Sequence, residues 1–327
     1  AWRVGDPGMV FLDVMNRYCP TPKLGIYQAT NPCGEQALLP YESCNLGNIN
    51  LGRFIKDEGR GKKEEGENKI NWSRLEEVVR LGVHFQDNVI DLCDYPIEQL
   101  KKMAKTTRKI GLGVMGWADM LIKLGIRYDS ETALTLAEKM AKFIQETARD
   151  ESVKLGKKRG SFPAFKGSVW EKKGFKHMRN STVNTVAPTG TISIIAGCSS
   201  GIEPLFALAY RRENILDLGK TSLVEVNSDF ENAVISSEAK RSREIQRSDL
   251  NIADARFLDS PVTSGSLGMT NNRINKVLDL ISQTGSCQNI KELPQSIKNI
   301  FRVSMEIPYQ WHIKMQAAWQ KYTDAAV

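Results

Sequence analysis

Thr30 to Leu51 reads TNPCGEQALLPYESCNLGNINL, and it holds the densest set of chemical groups in the chain. Within five residues it places an amide (Asn31), a thiol (Cys33) and a carboxylate (Glu35) at alternate positions, with Pro32 and Gly34 between them. In an extended loop alternate side chains point the same way, so all three are expected to face one small ligand. A second thiol, Cys44, follows eleven residues after the first. Buried cysteines acting as small hydrophobes, with Pro and Gly as turn punctuation, would explain either thiol alone. The polar alternation and the second cysteine on the same loop system argue for chemistry instead.

Outward from this stretch, LGIYQAT reads as a strand feeding an irregular loop, and KDEGRGKKEEGENK (56–69) as an exposed loop. A helix is expected from about Asn71, with Ser73 and Glu76 spaced as a capping box and Leu75, Val78, Val79, Gly82, Val83, Gln86, Val89 and Ile90 recurring at helical spacing toward a core. A second runs from Ser130 to about Leu155, with Leu134, Ala137, Met140, Ala141, Ile144 and Ala148 on its stripe. Between them, KIGLGVMGWADMLIKLGI contains GxGxxG. No clear strand precedes it and no acidic residue sits at the expected place, so close helix packing by small residues is expected rather than a nucleotide site.

STVNTVAPTGTISIIAGCSSGIEPLFA (181–207) reads as a polar turn and then a buried apolar strand, ISIIAG. Its Thr189, Gly190, Thr191 and Ser193 offer hydroxyls and backbone N–H groups, the pattern that holds phosphate at a glycine turn. Further helices are expected around Glu238 to Ile245, around Asn271 to Ile281, and after Pro308 with Trp311, Met315, Trp319 and Tyr322 on one side. Helices alternating with short apolar strands indicate an α/β architecture.

The chain has 327 residues, enough for two domains or one large one. With 41% hydrophobic and 25% charged residues it is a folded globular type, and disordered, collagen-like and disulfide-scaffold classes fit poorly. Its 45 basic and 38 acidic residues give +7, with basic groups gathered between Lys154 and Arg179; a solvated basic face is the expected reading, with nucleic-acid binding the alternative. The six cysteines include no CxxC and no histidine at zinc-ligand spacing, so no metal site is expected. AWRVGDPGMV has neither a basic start nor an apolar core, so secretion is not expected and a cytoplasmic location is. Neither a membrane nor a nucleic acid is an expected partner.

NPCGE with CNLGNINL, KIGLGVMGWADMLIKLGI, VAPTGTISIIAGCSSGIEPLFA and HIKMQAAWQKYTDAAV resemble, in order and over nearly all 327 residues, successive blocks of the large catalytic chain of ribonucleotide reductases. NPCGE and PTGTIS most resemble the adenosylcobalamin-dependent class II. The resemblance implies a ten-stranded α/β barrel with a central finger loop, tipped here by NPCGE. It makes residues 1–327 the C-terminal part of the catalytic barrel domain, without the upstream effector region and first half of the barrel and with a truncated C-terminal end. A half barrel leaves open strand edges, so this polypeptide alone is expected to be inactive.

The resemblance also implies roles. Cys33 would carry a thiyl radical that takes the ribose 3′ hydrogen and returns it. Glu35 would accept the 3′-hydroxyl proton, Asn31 would hold the ribose hydroxyls, and Cys44 would belong to the reducing pair, its partner coming from an earlier strand. Thr30, Pro188, Thr189, Gly190, Thr191 and Ser193 would bind substrate, while Glu203 and Pro204 would lie near it. Adenosylcobalamin and an external dithiol reductant, thioredoxin-like, are the implied cofactor and partner, and a homodimer is possible in the family. An iron-dependent class I large subunit is the alternative class, and a non-catalytic nucleotide-binding protein the alternative of another kind. Cys19, Cys93, Cys198 and Cys287 read as core or surface thiols, Cys198 as a small hydrophobe in a packed strand.

Overall fold

The computed structural model describes residues 3–4, 8–56, 66–212, 223–237 and 264–325. A short helix α1 (Leu12–Arg17) precedes a two-stranded hairpin, β1 (Ala29–Thr30) and β2 (Ala37–Leu38), paired antiparallel. The main sheet follows: β3 (Asn45–Asn50), then helices α2 (Trp72–Leu92) and α3 (Glu98–Thr107), then β4 (Ile110–Met115), parallel to β3 in the register Asn45 to Ile110 through Asn50 to Met115. On the other edge of β4, Leu112 bridges Asn184 in parallel and accepts from Thr185 N at 3.2 Å. The described sheet is thus three parallel lines and is not closed.

Every residue of β4 is buried, because both sheet faces are covered. On one face Ile49, Ile110, Leu112 and Val114 pack with Leu75, Val79, Val83 and Ile90 of α2. On the other, Gly111 and Gly113 make room for neighbouring side chains: a Cβ at Gly111 would lie 2.6 Å from a Leu46 methyl and 2.9 Å from Gln36 Nε2, and one at Gly113 would collide with Asn48 Oδ1. The glycine motif is therefore itself the strand, and its small residues admit the hairpin rather than a packed helix. Gly116, at φ +71°, then turns the chain into α4 (Trp117–Leu124).

Asn71, not Ser73, caps α2, its Oδ1 accepting from Arg74 N at 3.1 Å; Ser73 lies inside the first turn. Ser130 caps α5 (Glu131–Arg159), and the expected stripe is buried except for the partly buried Leu134. The basic stretch divides. Lys157, Lys158, Lys172 and Lys173 are exposed, whereas Arg159 and Arg179 join Arg108 around the fully buried Asp87, at 3.2, 3.1 and 2.8 Å. Between these basic groups lies the one-turn α6 (Val169–Lys172).

The run ISIIAG is not a strand. It forms α7 (Gly190–Ala196), between left-handed residues Thr189 (φ +57°) and Gly197 (φ +62°), with Ile194 and Ile195 50% and 79% exposed. The strand-like pairing belongs to the preceding 182–185. Cys198 correspondingly follows the helix cap instead of lying in a packed strand. The C-terminal third adds an antiparallel pair, β5 (Ala209–Arg212) and β6 (Leu223–Val226), then α8 (Ser264–Thr284) and α9 (Gln295–Ile300), with a second core that includes Phe230, Val277, Ile281 and Phe301. The segment expected to be helical at Asn271 to Ile281 lies within α8; that at Glu238 to Ile245 falls outside the described residues. The last helix, α10 (Tyr309–Gln320), buries Met315 and Trp319, and Trp319 meets Trp117 edge-on at 5.3 Å.

Candidate active site

The hairpin between β1 and β2 is a tight turn, not an extended loop. Asn31 N donates to Gln36 O at 3.1 Å, Gln36 N to Asn31 Oδ1 at 3.0 Å, and Gly34 N to Asn31 O at 3.0 Å. Gly34 sits at φ +89°, where a side chain would be strained. Because the chain turns here, Asn31, Cys33 and Glu35 do not share one face. Cys33 is exposed at the tip, Asn31 is half-buried with its Oδ1 committed to the turn, and Glu35 is buried at 6% exposure. Thr185 Oγ1 donates to Glu35 O at 3.0 Å and so fastens the hairpin to the third line of the sheet.

Thr30, Cys33, Glu35 and Pro188 nevertheless line one cavity of about 620 Å³, with Glu203 on its far wall and Met9, Val10 and Gln316 among its other lining residues. Glu35 Oε2 is buried without a hydrogen-bond partner among the described residues. A buried unpaired carboxylate oxygen costs free energy unless a ligand or water meets it, so its place beside an accessible thiol is chemically informative. Glu203, for which the sequence suggested only proximity, has its carboxyl raised by burial, with His312 opposing.

The 188–193 turn is partly spent on itself. Thr189 Oγ1 accepts from Gly201 N at 2.7 Å; Ser193 Oγ donates to Gly190 O at 3.1 Å and lies 2.9 Å from Ser200 Oγ. Thr191 is exposed. Gly190 and Ser193 line a second cavity of about 690 Å³ with Arg53, Lys123, Asp119 and Cys198, and Glu203 lines both cavities.

Cys44 lies behind the hairpin, immediately before β3, its Sγ donating to Asn45 O at 3.4 Å. Burial pushes this thiol up to about 12; Lys109 pulls it down, and Glu42 and Glu35 add to the rise. Lys109 and Glu42 are both buried and joined at 2.9 Å. Sequence reading missed that pair, although Lys109 directly precedes a strand of uninterrupted apolar residues, a place where a lysine must find a partner. Of the other thiols, Cys19 and Cys287 are buried, Cys93 is exposed and Cys198 is half-buried.

Parallel strands backed by helices on one face, with a thiol-tipped hairpin seated on the other, define an α/β domain with an open parallel sheet. The description "Ribonucleotide reductase, barrel domain" matches residues 1–179 and 175–327, and the chain belongs to that family. It is 46% identical over 327 residues to a vitamin B12-dependent ribonucleoside-diphosphate reductase of Thermoplasma acidophilum, covering 100% of this chain and 36% of that protein. A protein of the same name from Mycobacterium tuberculosis is 43% identical over 323 residues, 99% of this chain and 40% of that one. The ribonucleoside-diphosphate reductase subunit alpha of Chlamydia pneumoniae is 27% identical, covering 31% of its own length. This chain therefore spans well under half the length of these relatives. The class Id ribonucleotide reductase alpha subunit of Actinobacillus ureae superposes with a TM-score of 0.67 at 24% identity, covering 98% of this chain and 51% of that one, a likeness of fold. Among the described residues no helix is long and apolar enough to cross a membrane, and no cluster of His, Cys, Asp and Glu is placed to hold a metal.

Proposed function

We propose that this chain is the catalytic barrel part of an adenosylcobalamin-dependent ribonucleotide reductase, converting ribonucleoside diphosphates to 2′-deoxyribonucleotides within a longer protein, in the cytoplasm. The observation that carries the reading is the pairing of an exposed thiol, Cys33, with a buried, unpartnered carboxyl oxygen of Glu35 in one cavity. The names of the two most similar relatives cited above support the cobalamin class and the diphosphate substrate.

Removing a 2′-hydroxyl is difficult because nothing near that carbon stabilises charge, so a radical at the 3′ carbon is made first. The S–H and ribose C–H bonds are similar in strength, which lets a thiyl at Cys33 take the 3′ hydrogen and return it later. Glu35 accepts the 3′-hydroxyl proton as general base while the 2′ C–O bond breaks and water leaves. Two electrons and two protons then come from a dithiol containing Cys44, which ends as a disulfide. Among the described residues the side-chain amide N–H groups of Asn31 have no partner, its Oδ1 being the side-chain atom used in the turn, and they would orient the ribose. The cavity wall at Pro188 and the backbone N–H groups beside Thr191, with Thr189 and Ser193 shaping the turn, would receive the phosphates.

Adenosylcobalamin, when bound, supplies the first radical through chemistry of its own. The fit on this chain is one of access: Cys33 is exposed at an open cavity, so Cys33, Val10 and Gln316 are the residues that would meet the group. A thioredoxin-like protein would regenerate the dithiol, and a homodimer would suit the family.

The complete enzyme carrying this chain is expected to form deoxyribonucleotides when given adenosylcobalamin, a dithiol and a ribonucleoside diphosphate, and Cys33→Ser is expected to abolish product while leaving thermal unfolding unchanged. Product that appears only with a second, metal-bearing subunit would overturn the class, and full turnover in Cys33→Ser would overturn the mechanism.

A further inference from the structure

β3 and β4 begin opposite each other at Asn45 and Ile110. Cys44 and Lys109 immediately precede these two residues. Asn45 points to the helix side, its Nδ2 donating to Gln86 O of α2 at 3.1 Å, so alternation puts Cys44 and Lys109 on the opposite face, under the hairpin. There Lys109 Nζ, only 2% exposed as a residue, donates to Ala37 O of β2 at 2.8 Å and to Glu42 Oε2 at 2.9 Å, and lies 3.3 Å from Tyr27 Oη. Glu42 Oε2 also accepts from Leu39 N at 3.0 Å. The pair is thus gripped by the same hairpin that presents Cys33.

A buried ion pair is a poor source of stability, since a well-packed apolar pair often does as well or better. Its value here lies in what it does to its neighbour. We propose that Lys109 and Glu42 are positioning residues for Cys44, the lysine favouring the thiolate and the carboxylate opposing it, so that together they set how readily this sulfur exchanges; the proposal rests on reading Cys44 as a thiol of the reducing pair.

The charged and titratable groups facing Cys44 are Lys109, Glu42, Glu35 and Tyr27, and among them only Lys109 favours a negative sulfur. In regeneration a thiolate of the external dithiol attacks the disulfide, Cys44 leaves as a thiolate beside the ammonium and then takes a proton. The dithiol is oxidised to a disulfide, and the pair containing Cys44 gains two electrons and two protons. Glu42 keeps the resting sulfur protonated, which protects it from unwanted oxidation between turnovers.

The test is iodoacetamide alkylation of the intact protein from neutral to alkaline pH, with fragment-ion mass spectrometry separating Cys44 from Cys33. Alkylation follows the thiolate fraction, so below the pKa of the thiol a tenfold change in its acidity reads as about a tenfold change in rate. Glu42→Gln is expected to speed Cys44 alkylation about tenfold and Lys109→Met to slow it by about as much, with Lys109→Arg close to the parent and the exposed Cys33 unchanged in all three. Opposite signs are the electrostatic signature, because mere loosening of the packing would speed both. Should either single variant fail to fold, the double variant Lys109→Met/Glu42→Gln carries a neutral pair, and it is expected to alkylate more slowly than Glu42→Gln or faster than Lys109→Met, whichever survives. Acceleration in both single variants, or no change in either, would overturn the proposal. Turnover plays no part in this measurement, so its failure would leave ribonucleotide reduction standing, and a failure of turnover would not touch it.

Discussion

Glu35 is the residue whose environment says most about its task. Its side chain is buried, its backbone carbonyl is held by Thr185, and one carboxylate oxygen has no partner among the described residues. Glu35→Gln keeps the shape and would remove the proposed base, so on that proposal kcat in the complete enzyme is expected to fall about 10²- to 10⁴-fold, while substrate KM changes little. Loss confined to KM would show that the group only binds. The types and order of Asn31, Cys33 and Glu35 were readable in the sequence. Their orientation was not, because alternation holds only for extended backbone, and Asn31 uses its own side chain to close the turn that breaks it.

At the scale of elements, long amphipathic helices were legible because a 3.6-residue period repeats many times in α2 and α5. The short elements were not. ISIIAG looks like a strand since β-branched residues favour strands, yet two left-handed residues, Thr189 and Gly197, bound it as a single helix with isoleucines exposed. β4 was hidden for the opposite reason: its glycines weaken the strand pattern, and the groups lying over them, Leu46 and Gln36 at Gly111 and Asn48 at Gly113, explain their presence. That explanation has a consequence for stability. Gly113→Val would drive a branched side chain into Asn48 and the carbonyl of Thr185, and is expected to lower stability by about 1–3 kcal/mol, read as a lower Tm by circular dichroism. An unchanged Tm would mean that Asn48 and the strand carrying Thr185 can shift without loss.

For the molecule as a whole, charge buried between distant segments matters more than surface charge. Asp87 gathers arginines from the C-terminal cap of α3, the end of α5 and the segment at 179, positions up to 92 residues away. Nearby, Asp91 is held below its usual range chiefly by Arg108, and Asp129 is lowered by Arg127 and Arg302 against the cost of its burial. A carboxylate lowered in the folded state stabilises the fold fully above its unfolded pKa, and the gain is lost as pH falls through the lower folded value. Stability is therefore expected to hold from neutral pH down to about the ordinary carboxylate value of 3.8 and to drop below it, in a melt followed by far-ultraviolet circular dichroism against pH. A loss beginning near pH 6 would point to a different set of groups.

The hydroxyl of Thr185 reaches the hairpin across 150 positions of sequence. The aim of the tip sulfur consequently depends on a contact between segments far apart in the chain. A chain lacking that contact would hold the same atoms with no fixed target, so the chemistry proposed for the hairpin rests on the assembled scaffold and not on the loop alone.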